Sequence, residues 1–324
     1  MKVLHGFWRA TLGAALTLAA ATAAFGADMK IGALPAADSV VLHVAADEGL
    51  FAAEGLDVEV VPFQSALELG AAMRAGNLAG HFGDIINVLI QREGGVDQAI
   101  VATTTTTTHS SPGQRNFGLV VSPRSKAQSL ADLKGADIAV AGATIIDYLL
   151  DKMLEQQGLP ADHFRRQDIR QIPVRLQMLL SGRLEAALLP EPLVSLVEAQ
   201  GARTLWDDRG LNTPLAVIAL RRDNADADTV RRFRRALGEA ARRIDAEPER
   251  YKAIMIDKGL LPKAAADAYR MLRFGGQARN EADEYPDALP PLPTRADVED
   301  FAVWMRKGGM LKKMPETPAD VVLP

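Results

Sequence analysis

Asp47-Glu48-Gly49-Leu50-Phe51-Ala52-Ala53-Glu54-Gly55-Leu56-Asp57-Val58-Glu59-Val60-Val61-Pro62-Phe63 is the stretch that decides the fold. Upstream of it, Val40, Val41, Val44 and Ala45 recur at helical spacing, and Gly49 and then Gly55 supply left-handed positions at which helical turns stop. Residues 58–63 then read as a strand. With an apolar strand at 29–34 before it, the segment makes a strand, helix, strand unit long enough for a parallel pair with a right-handed crossover.

The same alternation continues outward. A helix at 67–74 is closed by Gly76, and strand signals at 81–82 and 99–103 bracket a helix at 85–91. After 118–121 and the turn Ser122-Pro123 the pattern restarts. Ser129 stands as a cap with Asp132 three residues on, and Gly135 precedes a strand at 138–141. Thr144 is placed to cap a helix whose residues Ile146, Leu149, Leu150, Met153 and Leu154 share one face, with Gly158 ending it. Strands at 169–172 and 186–189 and helices at 174–180 and 193–199 complete a second unit. A last strand at 215–220 precedes only helical patterns, at 228–244, 248–258, 262–272 and 294–307. The expectation is an α/β protein of two lobes, each a mostly parallel sheet flanked by helices: lobe 1 from 27–119 plus 215–324 and lobe 2 from 120–214. The chain then crosses between lobes twice, near 120 and 214, which makes a hinge. The threonine run 103–108 suits an extended edge or hinge strand.

Composition narrows the class. Lys2, His5 and Arg9 precede an apolar run at 10–24, and small residues at Ala24 and Gly26 suit cleavage before Ala27, so residues 1–26 read as a secretory signal peptide. There is no cysteine, which excludes disulfides, thiol catalysis, thiolate metal sites and a lipid-anchored cysteine. A net charge of −4 gives no electrostatic case for nucleic acid. The expectation is a free periplasmic monomer.

In open α/β sheets, ligands bind beyond the carboxyl ends of strands, where helix-start N–H groups are unpaired. That rule selects residues 35–39, Gln64 with Ser65, residues 83–85, 142–144 and 190–192, with Thr107, Thr108 and His109 near the hinge. As plain structure, Asp38, Ser39, Ser65, Asp84 and Thr144 all stand where helix caps are expected, each cap being worth about 1 kcal/mol. Asp147 reads as a capping partner of Thr144. Histidines 43, 81 and 109 lack the short spacing of a metal site and read as satisfied or surface residues. Phe63, Tyr148 and Trp206 read as core, and the arginines of 231–243 as a solvated helix face balanced by Asp226, Asp228, Glu239 and Asp245.

The run Gly49-Leu50-Phe51 through Glu54-Gly55-Leu56-Asp57-Val58-Glu59, following Ile31-Gly32-Ala33-Leu34-Pro35, resembles the opening of the periplasmic solute-binding proteins for nitrate, sulfonates, taurine and thiamine pyrimidines. The resemblance runs through most of 28–210. It implies the two-lobe periplasmic binding fold of type II, a cleft that closes on a small molecule, and delivery to an ABC permease and its ATPase. It also implies ligand contacts at Asp38 and Ser39, at Asp84 and Ile85 after Phe82-Gly83, at Ala143 and Thr144, and at Glu191 with Pro192. Where many members carry small uncharged residues after Phe-Gly, this chain has Asp84. A carboxylate there opposes a bare oxyanion and suits an amine or ring N–H. Glu191, flanked by Pro190 and Pro192, reads as a free carboxylate, and Arg175 at a helix start could hold an anionic end. The expected solute is therefore small, partly cationic or zwitterionic, or heterocyclic, bound by Asp38, Ser39, Gln64, Ser65, Asp84, Ile85, Thr108, His109, Ala143, Thr144, Arg175 and Glu191. No catalytic residue, cofactor or metal is expected.

Two other classes compete. An enzyme on this fold has the pyrimidine synthases as precedent, but their cysteine-rich iron site has no counterpart here, and no G-x-S-x-G, H-E-x-x-H or phosphate loop is present. A ligand-sensing module would have to act in trans.

Overall fold

The computed structural model describes residues 29–107, 114–274, 289–312 and 320–323. The signal-peptide segment 1–26, Thr108 and His109 lie outside the described residues. The first α/β run is β1 (Met29–Ala33), α1 (Val40–Asp47), α2 (Leu50–Ala53), β2 (Val58–Pro62), α3 (Ala66–Arg74), β3 (Gly80–Gly83), α4 (Ile85–Glu93) and β4 (Gln98–Thr106). The second is β5 (Phe117–Val121), β6 (Asp137–Val140), α5 (Ile145–Gln156), β7 (Arg165–Asp168), α6 (Ile172–Leu180), β8 (Ala186–Pro190), α7 (Leu193–Glu198) and β9 (Arg203–Asp207). The chain returns through β10 (Pro214–Arg221) to α8 (Ala227–Ala246), α9 (Pro248–Asp257) and α10 (Arg295–Lys307).

These form two five-stranded sheets, ordered β2-β1-β3-β10-β4 and β7-β6-β8-β5-β9. The second repeats the first position for position. In each, the strand in fourth place runs against its neighbours: β10 is antiparallel to β3 and β4, and β5 to β8 and β9. Each reversed strand is the first one the chain makes after leaving the other sheet. That exchange ties the sheets at adjacent points, where Thr107 N donates to Thr213 O (3.1 Å) and Thr213 N donates to Thr107 Oγ1 (3.0 Å).

Local chemistry explains the elements. Gly49 at φ 69° ends α1 and opens α2, and Gly55 at φ 70° turns the chain into β2. On α8, Val230, Phe233, Leu237, Ala241 and Ile244 are buried at helical spacing, and the Phe233 ring stacks on Phe51 with centroids 4.9 Å apart. The arginines of that helix are ion-paired, with Asp228 and Glu239 as expected and also with acids outside the helix: Arg231 and Arg232 with Asp228, Arg235 with Glu54, Arg242 with Glu239 and Arg243 with Glu239 and Glu48. The threonine strand β4 is an edge whose outer side is covered by the chain end, since Ile100 pairs with Val322 and Val321 is buried.

Three sequence expectations need correction. The strand placed at 169–172 lies earlier, at β7, and Ile172 already starts α6. β7 is an exposed edge made of Arg165-Arg166-Gln167-Asp168, with no apolar residue to announce it. The helix expected at 262–272 is a single turn, Lys263–Ala265, after which the chain runs irregularly toward the space between the sheets. Strand β9 was not anticipated: its Arg203-Thr204-Leu205-Trp206-Asp207 carries no apolar/polar alternation to announce it.

Candidate ligand-binding cleft

The carboxyl ends of β1, β2, β3, β6 and β8 converge on one cavity of about 110 Å³, whose wall is predominantly apolar. Of the residues expected from sequence, Asp38, Ser65, Asp84, Thr144, Arg175 and Glu191 line it. Ser39, Gln64, Ile85 and Ala143 do not. Ser39 is buried with its hydroxyl on Ala36 O, Ile85 packs into the apolar core, and Ala143 takes φ 59° so that the chain can turn from β6 into α5.

The helix-cap expectation holds for Ser65, Asp84 and Thr144, whose side chains accept from Glu68 N, Asn87 N and Ile146 N. Asp38 is different. Its carboxylate accepts the hydroxyls of Thr104 (2.8 Å) and Thr105, so the threonine run reaches the cavity through this acid. Burial raises its pKa, an effect the two threonine hydrogen bonds oppose.

Asp84 has both oxygens in use. Oδ1 accepts from Asn87 N (2.7 Å) and Asn87 Nδ2 (2.6 Å), while Oδ2 accepts from Ile145 N (2.8 Å), the first residue of a helix packed on the other sheet. Burial raises its pKa against those bonds.

Glu191 is not the free carboxylate expected. It pairs with Arg115 Nε at 2.7 Å and accepts from Ser195 N at 3.1 Å, closing the first turn of α7. The flanking prolines leave the backbone without a capping partner, and this side chain supplies it. Arg115, which sequence did not single out, also binds Glu198 with its two terminal nitrogens; burial works against its charge, but the two glutamates hold its pKa above the ordinary value.

Arg175 stands apart. Among the described residues it is the largest fully buried side chain, 1 % exposed, and none of their carboxylates lies within ion-pair distance of it. Nη1 donates to Ile169 O at 2.8 Å and Nε has no partner. Burial brings its pKa down to about 10, partly offset by Asp168, so it stays cationic at neutral pH. Tyr269, also unanticipated, brings a phenol that accepts from Leu272 N (3.2 Å) and keeps its own O–H to donate. Chemically, the cavity offers an apolar wall, acids already bonded within the protein, and one buried guanidinium with donor capacity unspent.

His43, His81, Phe63, Tyr148 and Trp206 do not line it. Tyr148 packs with Phe301 and Trp304, and Trp206 donates to Gln156. Among the described residues, no group of histidines and acids is placed to hold a metal.

The chain matches the NMT1-like family over residues 23–256. Among solved structures it is similar to the alkanesulfonate-binding protein SsuA from Xanthomonas axonopodis pv. citri, bound to MOPS, at 20% identity and TM-score 0.73, covering 92% of this chain and 99% of that one. It is similar to the periplasmic nitrate-binding protein NrtA from Synechocystis PCC 6803, at 15% identity and TM-score 0.67, covering 90% and 83%. It is also similar to DszB in complex with biphenyl-2-sulfinic acid, at 15% identity and TM-score 0.62, covering 91% and 96%. These likenesses establish a periplasmic-binding-protein fold. No sequence among curated proteins matches.

Proposed function

The chain belongs to the NMT1-like family, and from that premise we propose that it is a periplasmic solute-binding protein which closes two lobes, one built on each sheet, on a small organic anion and hands it to an ABC importer. The observation that carries the ligand class is Arg175: a buried guanidinium on the cavity wall that makes no ion pair with a carboxylate among the described residues and has an unbonded Nε. Leaving such a charge uncompensated is costly, and an anionic group on the solute would offset that cost. The cationic end expected from Asp84 and Glu191 loses its support, because both carboxylates are occupied by protein donors. A flat or branched apolar body, heterocyclic or not, suits the apolar wall. At about 10–15 Å³ for each water-sized group, the cavity of about 110 Å³ takes a solute of roughly seven to eleven non-hydrogen atoms.

A thermal-shift panel of small sulfonates and carboxylates, run beside neutral amides and amines of matched shape, tests the reading. Anions should raise the melting temperature, with a stabilisation of about 2.7 kcal/mol at one hundred times Kd. Arg175→Met should abolish that gain while the apo protein stays folded, since an apolar side chain of similar length fills the site. Stabilisation by amines alone, unchanged in Arg175→Met, would overturn the assignment of charge. Recovery of the solute chemically unaltered separates transport from the enzymatic alternative that DszB represents.

A further inference from the structure

The geometry points to Asp84 as a built-in closure latch: one oxygen of its carboxylate caps the helix of its own lobe and the other caps a helix of the opposite lobe. It rests on the reading of the protein as a two-lobe receptor but not on the identity of the solute.

The bonds divide cleanly between lobes. Oδ1 closes the first turn of α4 through Asn87 N and its side-chain amide, and Oδ2 closes the first turn of α5 through Ile145 N at 2.8 Å. The start of α5 is otherwise served from within: Thr144 Oγ1 takes Ile146 N, and Thr144 O takes Asp147 N. Ile145 N is thus the donor that α5 satisfies only while the lobes are together. Separating them leaves a carboxylate oxygen and an amide to be solvated anew.

Other polar contacts cross between the lobes. Tyr148 Oη donates to Asp300 Oδ2 (2.5 Å) and Trp304 Nε1 donates to Asp151 Oδ2 (2.8 Å), both part-buried where α5 meets α10, but neither closes a helix end. Gln171 Nε2 donates to Glu68 Oε1 (3.0 Å), and Lys152 pairs with Asp300 (3.2 Å), both exposed to solvent and correspondingly weak. Asp84 is 5 % exposed, and a charge-assisted bond at that depth is stronger. The carboxylate also occupies the place where two helix N-termini from opposite lobes meet, a natural anion position. The chain fills it with its own side chain, so closure there needs no anionic group from the solute.

Two substitutions separate latch from cap. Asp84→Asn keeps an oxygen for Asn87 N but turns an NH2 toward Ile145 N, so the cap survives and the bond between lobes is lost. Ile145→Pro removes the donor at a first helical position, where proline is well accommodated and Thr144 already has the extended backbone that proline requires before it. Because the protein has no cysteine, Glu59→Cys and Arg183→Cys, exposed on opposite lobes, place a unique pair of spin labels. Pulsed-EPR distance distributions are recorded without added solute. With Asp84 intact, the short-distance population should dominate. Asp84→Asn and Ile145→Pro should each raise the open-to-closed ratio by about tenfold, the scale of one charge-assisted hydrogen bond. Combined, they should add little to either alone. Distributions unchanged in both single variants, with circular dichroism confirming folded protein, would overturn the latch while leaving the solute-binding reading to its own thermal-shift test.

Discussion

His81 shows how a single residue reports on burial. It is fully buried in β3, neither ring nitrogen makes a hydrogen bond of normal geometry, and burial brings its pKa down to about 4 from 6.5. Between those values the unfolded chain holds a proton that the folded chain lacks. Stability is therefore full above pH 6.5 and falls as the pH drops toward 4, by on the order of 3 kcal/mol from this residue. Asp38, Asp84 and Asp208 act with the opposite sign: burial raises their pKa, so the folded state takes up protons first as the pH falls. Urea midpoints at pH 7 and pH 4.5 for the native chain and His81→Gln isolate the histidine, and the variant should lose less stability on acidification. A pH dependence equal in the two would show that His81 is not the group concerned. At this scale the sequence was readable where a side chain serves its own helix. Ser65, Asp84 and Thr144 announce themselves as caps because cap and amide lie two or three residues apart. Glu191 was misread because its partner Arg115 lies 76 residues away.

Elements were legible in proportion to their apolar patterning. The buried strands β1, β8 and β10 and the amphipathic helices α5 and α8 carry strong periodicity and fall where expected. β7 has no apolar residue, so its existence depends on the ladder with β6, from Asp137 opposite Arg165 to Val140 opposite Asp168. A glycine fixes the close packing of the first sheet. A Cβ on Gly80 would lie 2.5 Å from Ala219 O and 2.6 Å from Leu220 Cδ2, on the strand paired beside it. Because the nearest atom is backbone, Gly80→Ala must push β10 away from β3, at a cost of about 1–3 kcal/mol. Chemical denaturation should show a lowered midpoint with an unchanged slope. A midpoint equal to the native one would mean that the ladder has room the geometry does not indicate.

For the whole molecule, both large apolar clusters run from one sheet to the other: one joins α1, α2 and α8 to α7 and β8, the other α4 and α10 to α5 and β5. Near α5 this contact is partly polar. Tyr148 Oη donates to Asp300 Oδ2 (2.5 Å), Trp304 Nε1 donates to Asp151 Oδ2 (2.8 Å), and the Tyr148 ring lies 4.4 Å from Phe301. Trp304→Ala removes ring packing and one bond between α10 and α5, so small-angle scattering should show a larger radius of gyration without loss of helix content. An unchanged radius would place the control of lobe separation elsewhere. The sequence by itself determined the α/β alternation, the restart after residue 121, the strand-tip positions from which a cleft is built and the caps that start its helices. These follow from periodicity and from contacts a few residues long, which a linear chain records. Only the tertiary structure decided which charges are spent and which remain. Whether Asp84, Glu191 and Arg175 are bonded depends on Ile145, Arg115 and the depth of burial, and those are brought together by two sheets that exchange strands. A carboxylate looks the same in sequence whether it faces a solute or a neighbouring arginine, because the free energy that distinguishes the two cases resides in desolvation and in partners far along the chain.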